Sequence, residues 1–140
     1  MKLLLAPVMG VLAAVLGAVP VSDVHAQETP TADQLQAVAR QLSERTPMMV
    51  DGETELTSVG AESGAIIYYF RLVNVEASAI PADKLEAAAR TAVTGKVCTN
   101  PQTRRNFLER GITMRYSYND THGQFLLSFD VTAADCGGSR

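Results

Sequence analysis

The sequence predicts an α+β domain: a four-stranded antiparallel sheet made of two hairpins, with helices on one face and one disulfide. Three observations lead to this fold class. Apolar residues recur at helical spacing near residue 35, two alternating segments flank a short turn near residue 121, and both cysteines lie in the C-terminal half. The predicted order is helix, two strands, two helices, two strands, which is typical of an α+β domain.

The first residues have the features of a secretory signal peptide. Lys2 precedes an apolar run over residues 3–15, and small side chains lead up to Ala26, after which we expect cleavage. The run contains a proline and is shorter than the roughly 20 apolar residues that a membrane-spanning helix needs. The sequence therefore predicts a cleaved signal at 1–26 and a single domain at 27–140, without stable membrane insertion.

The composition of the chain argues against one class of function and indicates where the protein is located. Loss of Lys2 and Asp23 with the signal leaves the net charge at −3, whereas a nucleic-acid binder would need clustered basic residues. We therefore expect no nucleic-acid partner. Export places the domain in the periplasm or the extracellular medium, where Cys98 and Cys136 would form a disulfide. A redox pair is usually closer in sequence, and a zinc site needs two further ligands.

The first helix and the first hairpin are predicted from local signals. Thr31 and Gln34 have the spacing of a capping box, and an apolar stripe follows them. The first strands are expected at 53–59 and 66–73, the second being rich in β-branched and aromatic residues. Gly60 and Gly64 are expected to bracket the turn between these strands.

Two further helices are expected between the hairpins. Pro81 suits the first turn of the second helix, whose stripe of small residues would let it lie close on a sheet. This stripe is formed by Leu85, Ala88, Ala89 and Ala92. Gly95 is expected to end that helix. Asn100 followed by proline predicts a short third helix, and Gly111 suits the left-handed position after its end.

The C-terminal hairpin has the clearest pattern. Segments 112–119 and 124–131 alternate, and pairing Asn119 with Gln124 puts every apolar partner on one face. The predicted pairs are Tyr118 with Phe125, Tyr116 with Leu127, Met114 with Phe129, and Ile112 with Val131. The other face is polar except for Leu126.

The residues offer no recognisable catalytic set. His122 is the one histidine left after the predicted cleavage, and it lies in a hairpin turn, whereas a general base must be held rigidly beside its nucleophile. The acids Asp51, Glu53 and Glu55 alternate as on a solvated strand face and lack the other ligands of a calcium loop. We therefore expect no catalytic residue, metal or cofactor.

A candidate binding surface is the solvent-facing side of the sheet, where Tyr69, Arg71, Arg115 and Asp130 could gather. Aromatic and arginine side chains are enriched where proteins bind partners. The alternative is a diagonal ion pair of Arg115 with Asp130 on a hydrated sheet, worth less than about 1 kcal/mol.

Several motifs resemble those of a known family. They are the turn and strand at 47–59, the cysteine before a proline-started helix at 97–101, the segments 108–112 and 116–120, and the second cysteine at 135–136. Together they resemble the small exported bacterial proteins described as putative quorum-sensing-regulated virulence factors. The resemblance implies an association with virulence and pairing of Cys98 with Cys136. It implies no activity and no catalytic residue.

The leading functional hypothesis is a non-enzymatic periplasmic or secreted binding module whose partner is another protein. A second hypothesis is a proteinaceous inhibitor of a hydrolase, which rests on analogy between folds. A third is an enzyme that uses carboxylates, which requires a cleft uniting Asp51 or Glu55 with another acid. A deep pocket with perturbed acids would favour the enzyme.

Overall fold

The computed structural model describes residues 29–137, so the signal peptide predicted at 1–26 lies outside the described residues. The elements in chain order are α1 (Ala32–Ser43), β1 (Met48–Met49), β2 (Thr54–Glu62), β3 (Ala65–Leu72), α2 (Ala82–Thr99), α3 (Pro101–Asn106), β4 (Thr113–Asn119) and β5 (Phe125–Val131). Short 3₁₀ helices occupy Leu108–Arg110 and Ala133–Cys136. The predicted α+β class is confirmed. No helix in this part of the chain is long and apolar enough to cross a bilayer.

The sheet differs from the prediction in strand number and direction. It has five strands in the order β1-β2-β3-β4-β5, and β3 and β4 run parallel while the other pairs are antiparallel. The chain crosses from the end of β3 to the start of β4 through α2 and α3, so β4 enters the sheet in the direction of β3. The predicted four-stranded antiparallel sheet is therefore wrong. Strand β1 has two residues, too few to show an alternating pattern.

The predicted helix starts are confirmed. Thr31 Oγ1 accepts a hydrogen bond from the Gln34 backbone N–H at 3.2 Å, and Gln34 Oε1 accepts one from the Thr31 N–H at 2.8 Å. Asn100 Oδ1 accepts from the first free N–H groups of α3. Gly111 has φ of 76° and follows the 3₁₀ helix, as its left-handed role predicts.

The predicted end of α2 at Gly95 is wrong, because the helix continues to Thr99. A glycine inside a helix costs about 1 kcal/mol relative to alanine but does not by itself end it. The last turn is held by Val97, which is buried, and by Cys98, which forms a disulfide with Cys136. Tertiary contacts therefore outweigh the local glycine signal.

The first hairpin turns later than the sequence predicts. Strand β2 runs through Gly60 to Glu62, and the tight turn falls at Ser63–Gly64, where Gly64 has φ of 75°. The ring of Tyr69 covers Gly60, since a Cβ at that position would lie 3.3 Å from Tyr69 Cε2. Gly60 therefore serves close packing within the strand and does not form a turn.

The second hairpin is confirmed, but its register is shifted by two residues. Tyr116 lies opposite Phe129 and Tyr118 opposite Leu127, with an irregularity after Tyr118. The shift is even up to Tyr118, so the apolar side chains of this part stay on the predicted face. Beyond the irregularity Phe125 pairs with Asn119 and is 65% exposed, so its predicted place on the apolar face is wrong. Leu126 falls at the irregularity and joins the core. One residue of the shift comes from this irregularity and one from a longer loop, in which the Asp120 carboxylate accepts hydrogen bonds from the N–H groups at 122 and 124.

The core lies between the helices and one face of the sheet. Leu35 and Ala39 of α1 are 1% and 2% exposed and belong to one cluster with apolar residues of β2 to β5. Ser43 Oγ donates to the Val59 carbonyl at 2.9 Å and accepts from the Val59 N–H at 3.1 Å. Helix α1 is therefore firmly fixed to β2, and this part of the core is closed.

Candidate functional site: a groove beneath helix α2

The side of the sheet away from the helices, here called the open face, carries the four predicted binding residues. Tyr69 and Arg71 lie on β3, Arg115 on β4 and Asp130 on β5, and the strand register puts them on the same side. Tyr69 is 38% exposed. The structure thus brings the four residues together, and their role in binding stays a prediction.

The arginines of the open face already have partners within the sheet. Arg115 lies directly opposite Asp130, with Nε 2.8 Å from Oδ1 and Nη2 3.3 Å from Oδ2, and its Nη1 is 3.1 Å from Glu62 Oε2. The predicted diagonal placement of this pair is wrong, because the register shift makes the two residues direct neighbours. Arg71 Nε lies 3.3 Å from Glu55 Oε1. The open face therefore presents little unpaired positive charge to a partner.

Helix α2 buries little of its own surface where it lies over the sheet. Of its 18 residues only Val97, near the C-terminal end, is buried. Ala88 and Ala92 of the small-residue stripe are exposed, while Leu85 and Ala89 are half-buried. The stripe therefore packs against the core through Leu85 and Ala89, as predicted, but not through Ala88 and Ala92. Large aromatic side chains line the space between the helix and the sheet.

These aromatic side chains stack on one another and form a platform on β3, β4 and β5. Phe70 and Tyr118 have ring centroids 5.0 Å apart, Tyr68 and Tyr116 5.4 Å, and Tyr116 and Phe129 5.7 Å. Such pairs contribute about 0.5–1.5 kcal/mol beyond the burial of their surface. The rings therefore support one another in fixed positions.

The space between α2 and the platform is a groove of about 410 Å³. One wall is α2 from Leu85 to Val97, which corresponds to a length of about 18 Å at the helical rise per residue. Most of the lining is apolar. The lining residues are Val50, Asp51, Thr54, Phe70, Leu72, Leu85, Ala89, Ala92, Val93, Lys96, Val97, Tyr116, Tyr118 and Leu127.

Two phenol groups are the polar atoms on the floor of the groove. Tyr116 and Tyr118 are each 7% exposed, and neither hydroxyl forms a hydrogen bond within residues 29–137. No described side-chain oxygen or nitrogen is both fully buried and without a partner. The two hydroxyls therefore retain contact with the open space of the groove. Burial raises the pKa of Tyr118 to about 12, so its hydroxyl stays protonated at neutral pH.

The rim of the groove carries one acid and one base. The backbone N–H of Glu53 donates a hydrogen bond to Asp51 Oδ1 at 2.8 Å. This bond is the main reason why the pKa of Asp51 lies below its usual value. Lys96 lies on the α2 side and lowers that pKa further. Glu55 lies on the open face with Arg71, so the structure does not unite Asp51 and Glu55 in one cleft.

The alternating pattern predicted Tyr116 and Tyr118 on the apolar face of the hairpin but did not indicate their place in a groove. A signal was present, because three of the aromatic residues on the core face are tyrosines. A buried tyrosine usually finds a hydrogen-bond partner. Nothing in the alternating pattern offered one to these hydroxyls, and that mismatch could have drawn attention to them.

The fold and the groove define a class of protein. It is a small α+β domain with one disulfide, in which α1 is fixed to the sheet and α2 lies over an apolar groove. Within residues 29–137, no group of three or more His, Cys, Asp or Glu side chains could hold a metal ion. The model of the family described as "Putative quorum-sensing-regulated virulence factor" matches residues 24–137. The chain belongs to this family, which confirms the resemblance seen in its motifs.

Three solved structures share this fold. A protein of Pseudomonas aeruginosa, described as a putative secreted protein, matches with a TM-score of 0.63 and 21% identity over 75% of this chain and 91% of its own. The type 2 secretion system pilotin EpsS from Vibrio vulnificus gives 0.62 and 20%, over 77% and 93%. The type II secretion system pilotin AspS from Vibrio cholerae gives 0.57 and 22%, over 75% and 91%. The comparison with curated proteins gives no match.

Proposed function

We propose that this domain is a non-enzymatic binding module of the bacterial cell envelope, acting in secretion, and that it holds a segment of a partner protein in the groove beneath α2. The observation that carries the proposal is the open apolar groove between the largely exposed helix α2 and the stacked aromatic floor. The two pilotins of the same fold support a role in secretion. Export to the periplasm or the medium agrees with the disulfide.

The shape of the groove favours a short protein segment over a broad flat surface. A wall of about 18 Å can follow three turns of a helix or an extended peptide. Aromatic side chains dominate the energetic centres of protein interfaces, and here Phe70, Tyr116 and Tyr118 form the floor. Asp51 and Lys96 at the rim can pair with opposite charges on the segment, which would fix its direction.

Photo-crosslinking in cells that export the protein tests this proposal. The photoreactive residue p-benzoylphenylalanine is placed at Val50, which is 48% exposed and lines the groove. A matched control carries it at Ser58, which is exposed on the open face opposite Tyr69. We expect one defined adduct with an envelope protein from position 50 and none from position 58.

Two variants then locate the binding site. Ala92→Trp fills the groove from an exposed position on α2, so it should abolish the adduct while the protein stays folded. The double variant Arg71→Gln, Arg115→Gln disrupts the open face and should leave the adduct unchanged. If the adduct survives Ala92→Trp and disappears in the double arginine variant, the groove is not the site and the open face is.

A further inference from the structure

The hydroxyls of Tyr116 and Tyr118 lie where a bound segment would cover them. Both side chains are more than nine-tenths buried, both line the groove, and neither hydroxyl has a partner among the described residues. A segment that filled the groove would remove the water now available to them. Each hydroxyl left unpaired in this way would weaken binding by about tenfold or more.

We infer that Tyr116 and Tyr118 select the occupant of the groove: an apolar protein segment that places a neutral hydrogen-bonding group, such as a main-chain carbonyl or an Asn or Gln amide, against their hydroxyls. This inference rests on the proposed function, because it assigns the chemistry of the same site. It goes further in naming two specificity-determining residues and the group that they recognise.

The surroundings of the two phenols favour a neutral group over an acid. The charge of Asp51 acts on Tyr118, so a carboxylate placed there would be repelled. The hydroxyls also occupy fixed positions, because Tyr118 stacks on Phe70 at 5.0 Å and Tyr116 on Phe129 at 5.7 Å. Donors held in place in advance bind a matching acceptor without further loss of side-chain freedom.

The same hydroxyls argue against a hydrocarbon chain as the natural occupant. An acyl chain would match the apolar walls but would cover Tyr116 and Tyr118 without offering them a hydrogen bond. A peptide segment carries a carbonyl at every residue and can satisfy both. The observations therefore favour a protein segment.

Selection of peptides on the exported, disulfide-bonded protein tests the inference. The probe is a phage-displayed library of random peptides of roughly 15 residues, long enough to follow the groove. Peptides that also bind the filled-groove variant Ala92→Trp are removed. The remaining peptides are measured by isothermal titration against Tyr116→Phe, Tyr118→Phe and the double variant. Tyr68→Phe is the matched control, because Tyr68 belongs to the same stack but does not line the groove.

We expect groove-dependent peptides that carry an amide side chain or an exposed carbonyl among apolar residues. Each groove variant should weaken their binding by about fivefold and the double variant by more, while Tyr68→Phe leaves it unchanged. Thermal melts should be alike for all variants, since no hydrogen bond within the protein is removed.

The other outcomes separate two failures. Groove-dependent peptides that bind the double variant as tightly as the original protein overturn the selection by tyrosines and leave the proposed function standing. If no peptide depends on the groove, the proposed function fails as well. Displacement of the peptides by sodium decanoate, with an affinity that the double variant does not reduce, would identify an acyl chain as the occupant and overturn the inference.

Discussion

Asp120 is 1% exposed, and its carboxylate joins the segment before α2 to the loop of the second hairpin. It accepts hydrogen bonds from the backbone N–H groups of Ala77 at 3.1 Å, His122 at 2.8 Å and Gln124 at 2.8 Å. Burial by itself raises the pKa of this group, but the three N–H donors outweigh burial and hold it below the usual value. The charged form of Asp120 therefore stabilises the fold.

Replacing Asp120 by Asn should destabilise the protein at neutral pH, because an amide oxygen accepts fewer of these bonds and carries no charge. The folded pKa is lower than the unfolded value of about 3.9, so the stabilisation is present above that pH and is lost as the pH falls through the lowered folded pKa. Urea unfolding should show a lower midpoint for Asp120→Asn at pH 7 and a smaller difference near pH 2. Exposed Glu53→Gln serves as the control, and an equal difference at both pH values would contradict this account.

The C-terminal turn of α2 is held by contacts distant in sequence, through Val97 and Cys98. Its interior glycine, Gly95, has ordinary helical geometry, and a Cβ there would meet nothing within 4 Å. Gly95→Ala should raise the free energy of unfolding by about 0.5–1 kcal/mol, because alanine loses less backbone freedom on folding. Gly64→Ala, at φ of 75°, should lower it. Urea unfolding of both variants tests this contrast, and destabilisation by Gly95→Ala would show that α2 does not continue through this residue.

Elements with strong local signals were predictable, and those set by distant partners were not. Capping at Thr31 and Asn100 and the alternation around Tyr116 act over a few residues, so the sequence displays them directly. Two-residue β1 and the parallel pairing of β3 with β4 depend on the path of the whole chain. The observed register of the second hairpin differs from the predicted one in part because Asp120 stabilises a longer loop. The alternation of apolar residues along a strand does not reveal this contact.

The groove was harder to predict than the open face for a related reason. Alternation in each strand indicates which side chains share a face, so Arg115 and Asp130 could be placed together. The position of α2 over the sheet depends on contacts between residues distant in sequence, such as Arg90 with Phe129, and neither the stripe at Ala88 nor the rings opposite reveals it alone. The disulfide was predictable from the number of cysteines and the expected export.

For the whole molecule, the disulfide between Cys98 and Cys136 joins the end of α2 to the last described helical turn, across a sequence separation of 38. Closing a loop of this length should stabilise the fold by about 4 kcal/mol, a large share of the stability of a small domain. The variant Cys98→Ser, Cys136→Ser should lose about that amount in urea unfolding. A loss below about 1 kcal/mol would show that packing alone holds these two segments together.

The two edges of the sheet are unlike. Edge strand β5 is covered by Arg90 of α2, whose guanidinium lies 5.0 Å from the centroid of Phe129 and donates to the Asp130 carbonyl at 3.3 Å. The opposite edge is the two-residue strand β1. A charged cover on one side and a very short strand on the other are both means of preventing sheets from adding to one another.

The parallel pairing of β3 with β4 also bears on how the chain folds. Each hairpin pairs strands that are close in sequence, whereas β3 and β4 are separated by everything from Val73 to Ile112. Closing so long a connection costs chain entropy before the pairing returns any stability. A chain that emerges N-terminus first therefore carries its first hairpin with one side of β3 unpaired until the last hairpin arrives. During that interval the unpaired side of β3 can aggregate with other chains or be cleaved by proteases. Pairing with the second hairpin covers this side of β3 and prevents both.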